Sequence, residues 1–247
     1  MQIGDIKKIL IIGAGTMGHQ IGFVCAESGY EVTVYDAFPE ILIKAQKRTA
    51  QLAKRLTGNG IIEPGGSDAA IERMTFTDDP QEAGRDADLV IESIPEDPKL
   101  KGEIFGRFDK ICPKRTIFTT NTSSLVPSMF AEATGRPERF LAFHFHDVTL
   151  TKIVDVMPHA KTKPEIVEIT TNFAKKIGQI PIVLQNEHSG YLFNNMLMAL
   201  LDSALTLASG KIAPIYDIDR SWMGIMHSPT GPFGIMDSIG LDTVLKV

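Results

Sequence analysis

The sequence predicts an α/β fold, a mostly parallel sheet with helices on both faces followed by a smaller all-helical part. Three observations carry this. As far as Leu184, short β-branched runs alternate with amphipathic stretches, the pattern of successive strand and helix units in a parallel sheet. A glycine-rich turn follows the first of these runs directly. After the strand-like QIPIVL, Gln179 to Leu184, only helical periodicity remains. The boundary falls between Gln185 and Ser189 and divides the chain into residues 1–185 and 186–247.

Taken in order, the strand signals are ILII (Ile9 to Ile12), VTVY (Val32 to Tyr35), LVI (Leu89 to Ile91), TIFTT (Thr116 to Thr120), FLAFHF (Phe140 to Phe145), IVDV (Ile153 to Val156) and the final QIPIVL. Helices are expected over Thr16 to Ser28, over Glu40 to Leu56 and in KLKGEIFGRFDKI. In the second part, YLFNNMLMALLDSALTLAS carries a single narrow polar stripe, Asn195, Asp202, Thr206 and Ser209. Apolar surface on two sides of one helix, in a part of the chain too small to hide it, points to burial against a second subunit. A homodimer through the helix Tyr191 to Ser209 is therefore expected.

Composition narrows the function. With 247 residues, 43% hydrophobic and 22% charged, the chain reads as a globular protein. The net charge of -5 offers no basic footprint for nucleic acid. Two cysteines, Cys25 and Cys112, provide neither a disulfide framework nor a metal site, so no metal and a reducing, cytoplasmic compartment are expected. No signal or transit segment stands out, and no run reaches the roughly 18 apolar residues of a membrane span. No internal repeat is evident.

The cofactor signal is specific. Gly13-Ala14-Gly15-Thr16-Met17-Gly18 is GxGxxG, placed between a strand and a helix. Gly13 makes the tight turn, Gly15 lets the backbone approach a pyrophosphate, and Gly18 allows close packing of helix on strand. Asp36 closes the second strand eighteen residues after Gly18. A carboxylate there accepts from the adenosine ribose hydroxyls and repels a 2'-phosphate. The unit is Rossmann-type and the expected cofactor is NAD.

On the substrate side the residues alone leave alternatives open. Asn121-Thr122-Ser123-Ser124 lies where such a sheet presents ligands, yet it is also a good turn and helix cap. Lys44, Lys47, Arg48, Lys54 and Arg55 make a basic cluster that reads as a solvated face or as a seat for a phosphate-bearing substrate tail. On a strand, residues two apart share a face, so periodicity cannot choose between His144 and His146.

GAGTMG, DLVIESIPED, TIFTTNTSSL, RFLAFHF, SGYLFNN and GPFGIMDSIGLD together resemble the NAD-dependent L-3-hydroxyacyl-CoA dehydrogenase family along essentially the whole chain, and within it the short bacterial 3-hydroxybutyryl-CoA dehydrogenase-like branch. The resemblance implies an acyl-CoA substrate, His144 as general base, and Ser123 and Asn194 as substrate-holding groups. It also implies that Glu96, Lys101 and Ser123 line the NAD site. Three departures stand out. Asp147 replaces the asparagine that closes the family's HFFN motif and brings a carboxylate near the nicotinamide. Asp155 replaces the glutamate that orients the base, eleven residues after His144 rather than twelve. The sequence stops at GLDTVLKV, before the segment that usually completes the helical domain, and it has no clear match to the family's CoA-contacting lysines.

Two alternatives accompany this reading. One is a dehydrogenase of a free hydroxy acid, of gulonate or 3-hydroxyisobutyrate type. The latter uses a lysine of the helical part, and the lysines after Ser189 are only Lys211 and Lys246. The other is a non-catalytic NAD-binding protein of the same fold.

Overall fold

The computed structural model describes residues 2–63, 65–149 and 151–241. Lys246 and the closing DTVLKV lie outside the described residues. The chain divides into two compact units, Met1–Ser189 and Gly190–Val247.

In the first unit, β1 (Lys8–Ile12), β2 (Glu31–Tyr35), β3 (Met74–Thr77), β4 (Leu89–Glu92), β5 (Ile117–Thr120), β6 (Phe140–Phe145), β7 (Ile153–Pro158) and β8 (Ile180–Val183) form one sheet in the order β3-β2-β1-β4-β5-β6-β7-β8. All neighbours are parallel except β6 and β7. The chain runs outward from β1 through β2 to β3, then resumes at β4 on the other side of β1. That reversal opens a crevice at the carboxyl ends of the strands, where ligands of such sheets bind.

The helices α1 (Thr16–Glu27), α2 (Pro39–Gly58), α3 (Gly66–Glu72), α4 (Pro80–Gly84), α5 (Pro98–Asp109) and α6 (Pro164–Lys176) belong to this unit. Along β1, Ile9 and Ile11 join one apolar cluster while Leu10 and Ile12 join the other. Because successive side chains alternate across a strand and both faces are covered, an unbroken apolar run is what this position demands. α2 starts on Pro39, whose fixed φ suits a first helical position, and buries Leu42, Ala45, Thr49, Leu52, Ala53 and Leu56 at helical spacing. Asp97 caps α5 by accepting from the backbone N–H groups of Lys99 and Leu100 at 2.8 and 3.1 Å.

One strand was not expected, and one pair of neighbours runs antiparallel. β3, MTFT, gave no strand signal; four residues carry little pattern, and its pairing with β2 supplies what propensity does not. β7 runs antiparallel to β6 because only seven residues separate them, too few for the crossover that parallel pairing needs.

The second unit holds α7 (Phe193–Ser209), α8 (Ile215–Met226) and α9 (Pro232–Ile239). Asp219 of α8 accepts the N–H groups of Phe233 and Gly234 at 2.8 and 3.0 Å and so caps α9. Gly231 is required there, since a Cβ would lie 2.6 Å from the Asp219 Cα. α7 buries only Leu201 and Ala204, while Met196 and Leu205, with Ile212 after it and Tyr216 and Ile225 of α8, stay exposed. Among the described residues, no helix is long and apolar enough to cross a membrane.

Candidate active site

The glycine loop leaves β1 at the sheet's reversal point. Gly13 has φ +99°, a left-handed conformation that favours glycine, and a Cβ there would lie 2.6 Å from the Ser93 carbonyl oxygen. A Cβ on Gly18 would overlap the Gly13 carbonyl oxygen, so helix and loop touch without a side chain between them. Around Gly15 there is open space. Thr16 and Met17 begin α1, whose N-terminus has neither a side-chain cap nor an acidic residue in its first turn. That end therefore keeps its N–H groups and positive dipole for an anion. Asp36 accepts from the Ala14 N–H at 2.9 Å and the Phe38 N–H at 3.1 Å, which holds its carboxylate beside the loop.

Glu92, at the end of β4, is a site element the sequence reading missed. It is wholly buried and accepts from Lys101 Nζ and Thr120 Oγ1, each at 2.6 Å, and from the Ile94 N–H at 2.7 Å. Burial pushes its carboxyl pKa up, against the opposing charge and hydrogen bond of Lys101. A glutamate closing an apolar strand with a lysine nine residues on was the available signal. Lys101 is itself buried, and its Nζ lies 3.7 Å from Glu96. Glu96 in turn accepts from Thr122 Oγ1 at 2.6 Å and from the Ser123 N–H and Oγ at 2.6 and 3.1 Å. Burial acts to raise the Glu96 pKa, but these donors and Lys101 outweigh it and hold it below the usual carboxylate range. The structure thus brings Glu96, Lys101 and Ser123 into one network joining the loops after β4 and β5.

His144 and Asp155 are register partners across β6 and β7. His144 Nδ1 lies 3.2 Å from Asp155 Oδ2, and His146 Nε2 lies 2.8 Å from the same oxygen. An ionised carboxylate only accepts, so His144 donates through Nδ1 and keeps its lone pair on Nε2, the form a general base requires. Burial lowers the His144 pKa; Asp155 opposes this and His146 adds to it. Burial would raise the Asp155 pKa, but the two imidazole hydrogen bonds carry it below the ordinary value. Asn121 fixes the strand end by accepting the Phe145 N–H at 2.8 Å. Asp147 accepts from the N–H and hydroxyl of Thr149 at 2.8 and 2.9 Å, ordering the turn after β6. Asn194 is half-buried in the first turn of α7. Cys25 and Cys112 are buried free thiols, the latter pushed up to about 12, which suits neither for nucleophilic work.

This geometry has close counterparts. Residues 8–188 match the 3-hydroxyacyl-CoA dehydrogenase NAD-binding domain, and residues 190–247 match the 3-hydroxyacyl-CoA dehydrogenase C-terminal domain. The chain belongs to the 3-hydroxyacyl-CoA dehydrogenase family. It is 34% identical to the mitochondrial hydroxyacyl-coenzyme A dehydrogenase of Rattus norvegicus, over 96% of this chain and 77% of that one. Identity to the 3-hydroxybutyryl-CoA dehydrogenase of Mycobacterium tuberculosis is 30%, over 97% and 84%. A solved diketoreductase, from a study of dual catalysis on dicarbonyl compounds, superposes with a TM-score of 0.92 at 38% identity, over 96% of this chain and 85% of that one.

As a family member the protein is an NAD-dependent oxidoreductase of the hydroxyacyl-CoA class. The open Gly15, the uncapped α1 and the carboxylate of Asp36 fit NAD. Asp36→Ala is expected to narrow the preference for NADH over NADPH, because the charge facing a 2'-phosphate is gone and Ala37, Phe38 and Pro39 put no arginine in its place. NADH binding should weaken without disappearing. Equal wild-type efficiencies with the two cofactors would contradict this.

Proposed function

We propose that this enzyme moves a hydride between NAD and C3 of a short-chain 3-hydroxyacyl-CoA, with His144 taking the hydroxyl proton. The observation that carries this is the buried imidazole, oriented by Asp155 so that Nε2 holds its lone pair. In the oxidising direction the substrate hydroxyl gives its proton to His144 Nε2, and Asp155 stabilises the imidazolium that forms. NAD, when bound, supplies the hydride acceptor. Ser123, placed in the loop after β5, holds the reacting oxygen. Glu96 orients Ser123, while Lys101, acting from below through Glu92 and Glu96, keeps both loops in place. The family resemblance gives Asp147 a place in the NAD site, where its carboxylate would face the bound cofactor.

A cleft of about 400 Å³ beside α1, lined by His19, Arg48 and Arg55 among others, supports the CoA assignment. Two of the five basic residues of α2 face it, and a cationic cleft suits a polyphosphate tail. NADH oxidation should be faster with acetoacetyl-CoA than with longer 3-oxoacyl-CoAs or free acetoacetate. Arg48→Ala should raise KM for the thioester with little change in kcat, the mark of binding lost equally from ground and transition states. Preference for the free acid would refute CoA recognition, and binding of NADH without consumption would refute enzymatic activity.

The similarity to a diketoreductase supports a second reading, reduction of a free dicarbonyl compound. In that case Arg48→Ala would leave KM unchanged and free β-diketones would outrun every thioester.

The enzyme works as a homodimer joined through the helical unit. Met196, Ile212, Tyr216 and Ile225 are between 66% and 74% exposed in the single chain, more apolar surface than a unit of this size leaves in water. Sedimentation at micromolar concentration should give a dimer, and a monodisperse monomer would overturn this. Two free buried thiols suit a cytoplasmic setting.

A further inference from the structure

The pair of histidines raises a question that the family's mechanism does not answer. One carboxylate oxygen, Asp155 Oδ2, receives both rings, and the ring that is not the base makes the shorter contact, 2.8 Å against 3.2 Å. The two imidazoles stand edge to face with centroids 4.4 Å apart. His146 therefore has two routes to His144. Its Nε2–H competes for the oxygen that would otherwise serve His144 alone, and any positive charge on its ring lies against the base.

We propose that His146 is a positioning residue that clamps Asp155 and restrains the proton affinity of His144, so that the base stays available to lower pH than a histidine and carboxylate pair alone would allow. The proposal rests on His144 being the base. Asp155 reaches from β7 and is held by two donors, His144 on β6 and His146 just past its end, and its side chain is 3% exposed. Among the described residues Glu96, from the loop after β4, also acts on His144; it favours protonation and so works against His146. With His146 neutral, its Nε2–H draws electron density from Asp155 and weakens that carboxylate's hold on an imidazolium. Coulombic repulsion from the His146 ring acts on His144 in the same direction.

His146→Phe removes both donor and charge. His146→Gln keeps an amide donor of similar reach and removes the charge. The pH dependence of kcat/KM for alcohol oxidation reports the free enzyme's base. In His146→Phe the acid limb should move to higher pH, and kcat should fall by about tenfold, the order that one charge-assisted hydrogen bond supplies. His146→Gln should recover most of kcat and return the limb part of the way. NADH affinity and melting temperature, measured in parallel, should remain close to wild type. The idea is overturned if the limb stays in place or moves to lower pH in His146→Phe, or if His146→Gln is as impaired as His146→Phe. His144→Ala serves as the separate control. If that variant keeps the acid limb and full turnover, the assignment of the base has failed, whatever the His146 variants show.

Discussion

His144→Ala is expected to lower kcat by about 10² to 10⁴, the usual worth of a positioned general base. Alanine cannot accept the hydroxyl proton, and among the described residues the other group held by Asp155 is His146, whose tautomer is committed by its own Nε2 contact. Binding of NADH should be nearly unchanged, since the cofactor loop lies on β1 and α1 and the histidine on β6. The pH profile carries a second signature. Burial holds the His144 pKa below that of a free imidazole, so the deprotonated, working form persists below the ordinary histidine range, and oxidation should fade only at more acidic pH. That limb should vanish in His144→Ala. Steady-state kinetics from pH 5 to 9 with equilibrium NADH titration checks both; a crippled His146→Ala beside a mild His144→Ala would reverse the assignment.

Lys101→Met should destabilise the first unit by about 3–5 kcal/mol, the range for removing one partner of a buried ion pair. The reason lies in Glu92, which is wholly buried and would lose the 2.6 Å contact with the ammonium while keeping its charge. A neutral methionine of similar length fills the space but leaves that carboxylate uncompensated. The sign with pH follows from burial, which already raises the folded-state pKa of Glu92 and acts alone once Lys101 is gone. A carboxyl with a raised folded pKa adds stability below its unfolded pKa and loses it as pH rises through the folded value. The variant's deficit should thus be large at pH 8 and shrink toward pH 5. Denaturant unfolding of both proteins at the two pH values tests this, and a deficit that is constant or grows on acidification would show that Glu92 is not its source. Because Lys101 also reaches Glu96, and Glu96 holds Ser123, the variant's remaining activity should show a raised KM as well.

Much of this was legible in the residues. Runs such as ILII and FLAFHF announce strands buried on both faces, and GxGxxG between a strand and a helix announces a nucleotide loop, because each glycine meets a local steric demand. β3 was not legible, since MTFT has too few residues for a period and takes its conformation from β2. The direction of β7 was legible only through the short connection, because alternation along a strand is the same in both directions. Glu92 escaped notice for a related reason: a charge at the end of an apolar strand reads as the start of a loop until its partner is known.

The sequence by itself determined the strands other than β3, the glycine loop and the acid at Asp36, because these depend on local geometry and on periodicities of two and 3.6 residues. It left open which groups meet. Only the tertiary structure decided that Asp155 sits opposite His144, that one of its oxygens serves both histidines, and that Lys101 neutralises Glu92 beneath the loops carrying Glu96 and Ser123. Those pairings join residues on different strands and loops. Their energies come from burial and from charges brought within hydrogen-bonding distance, quantities that exist only once the sheet has closed its register.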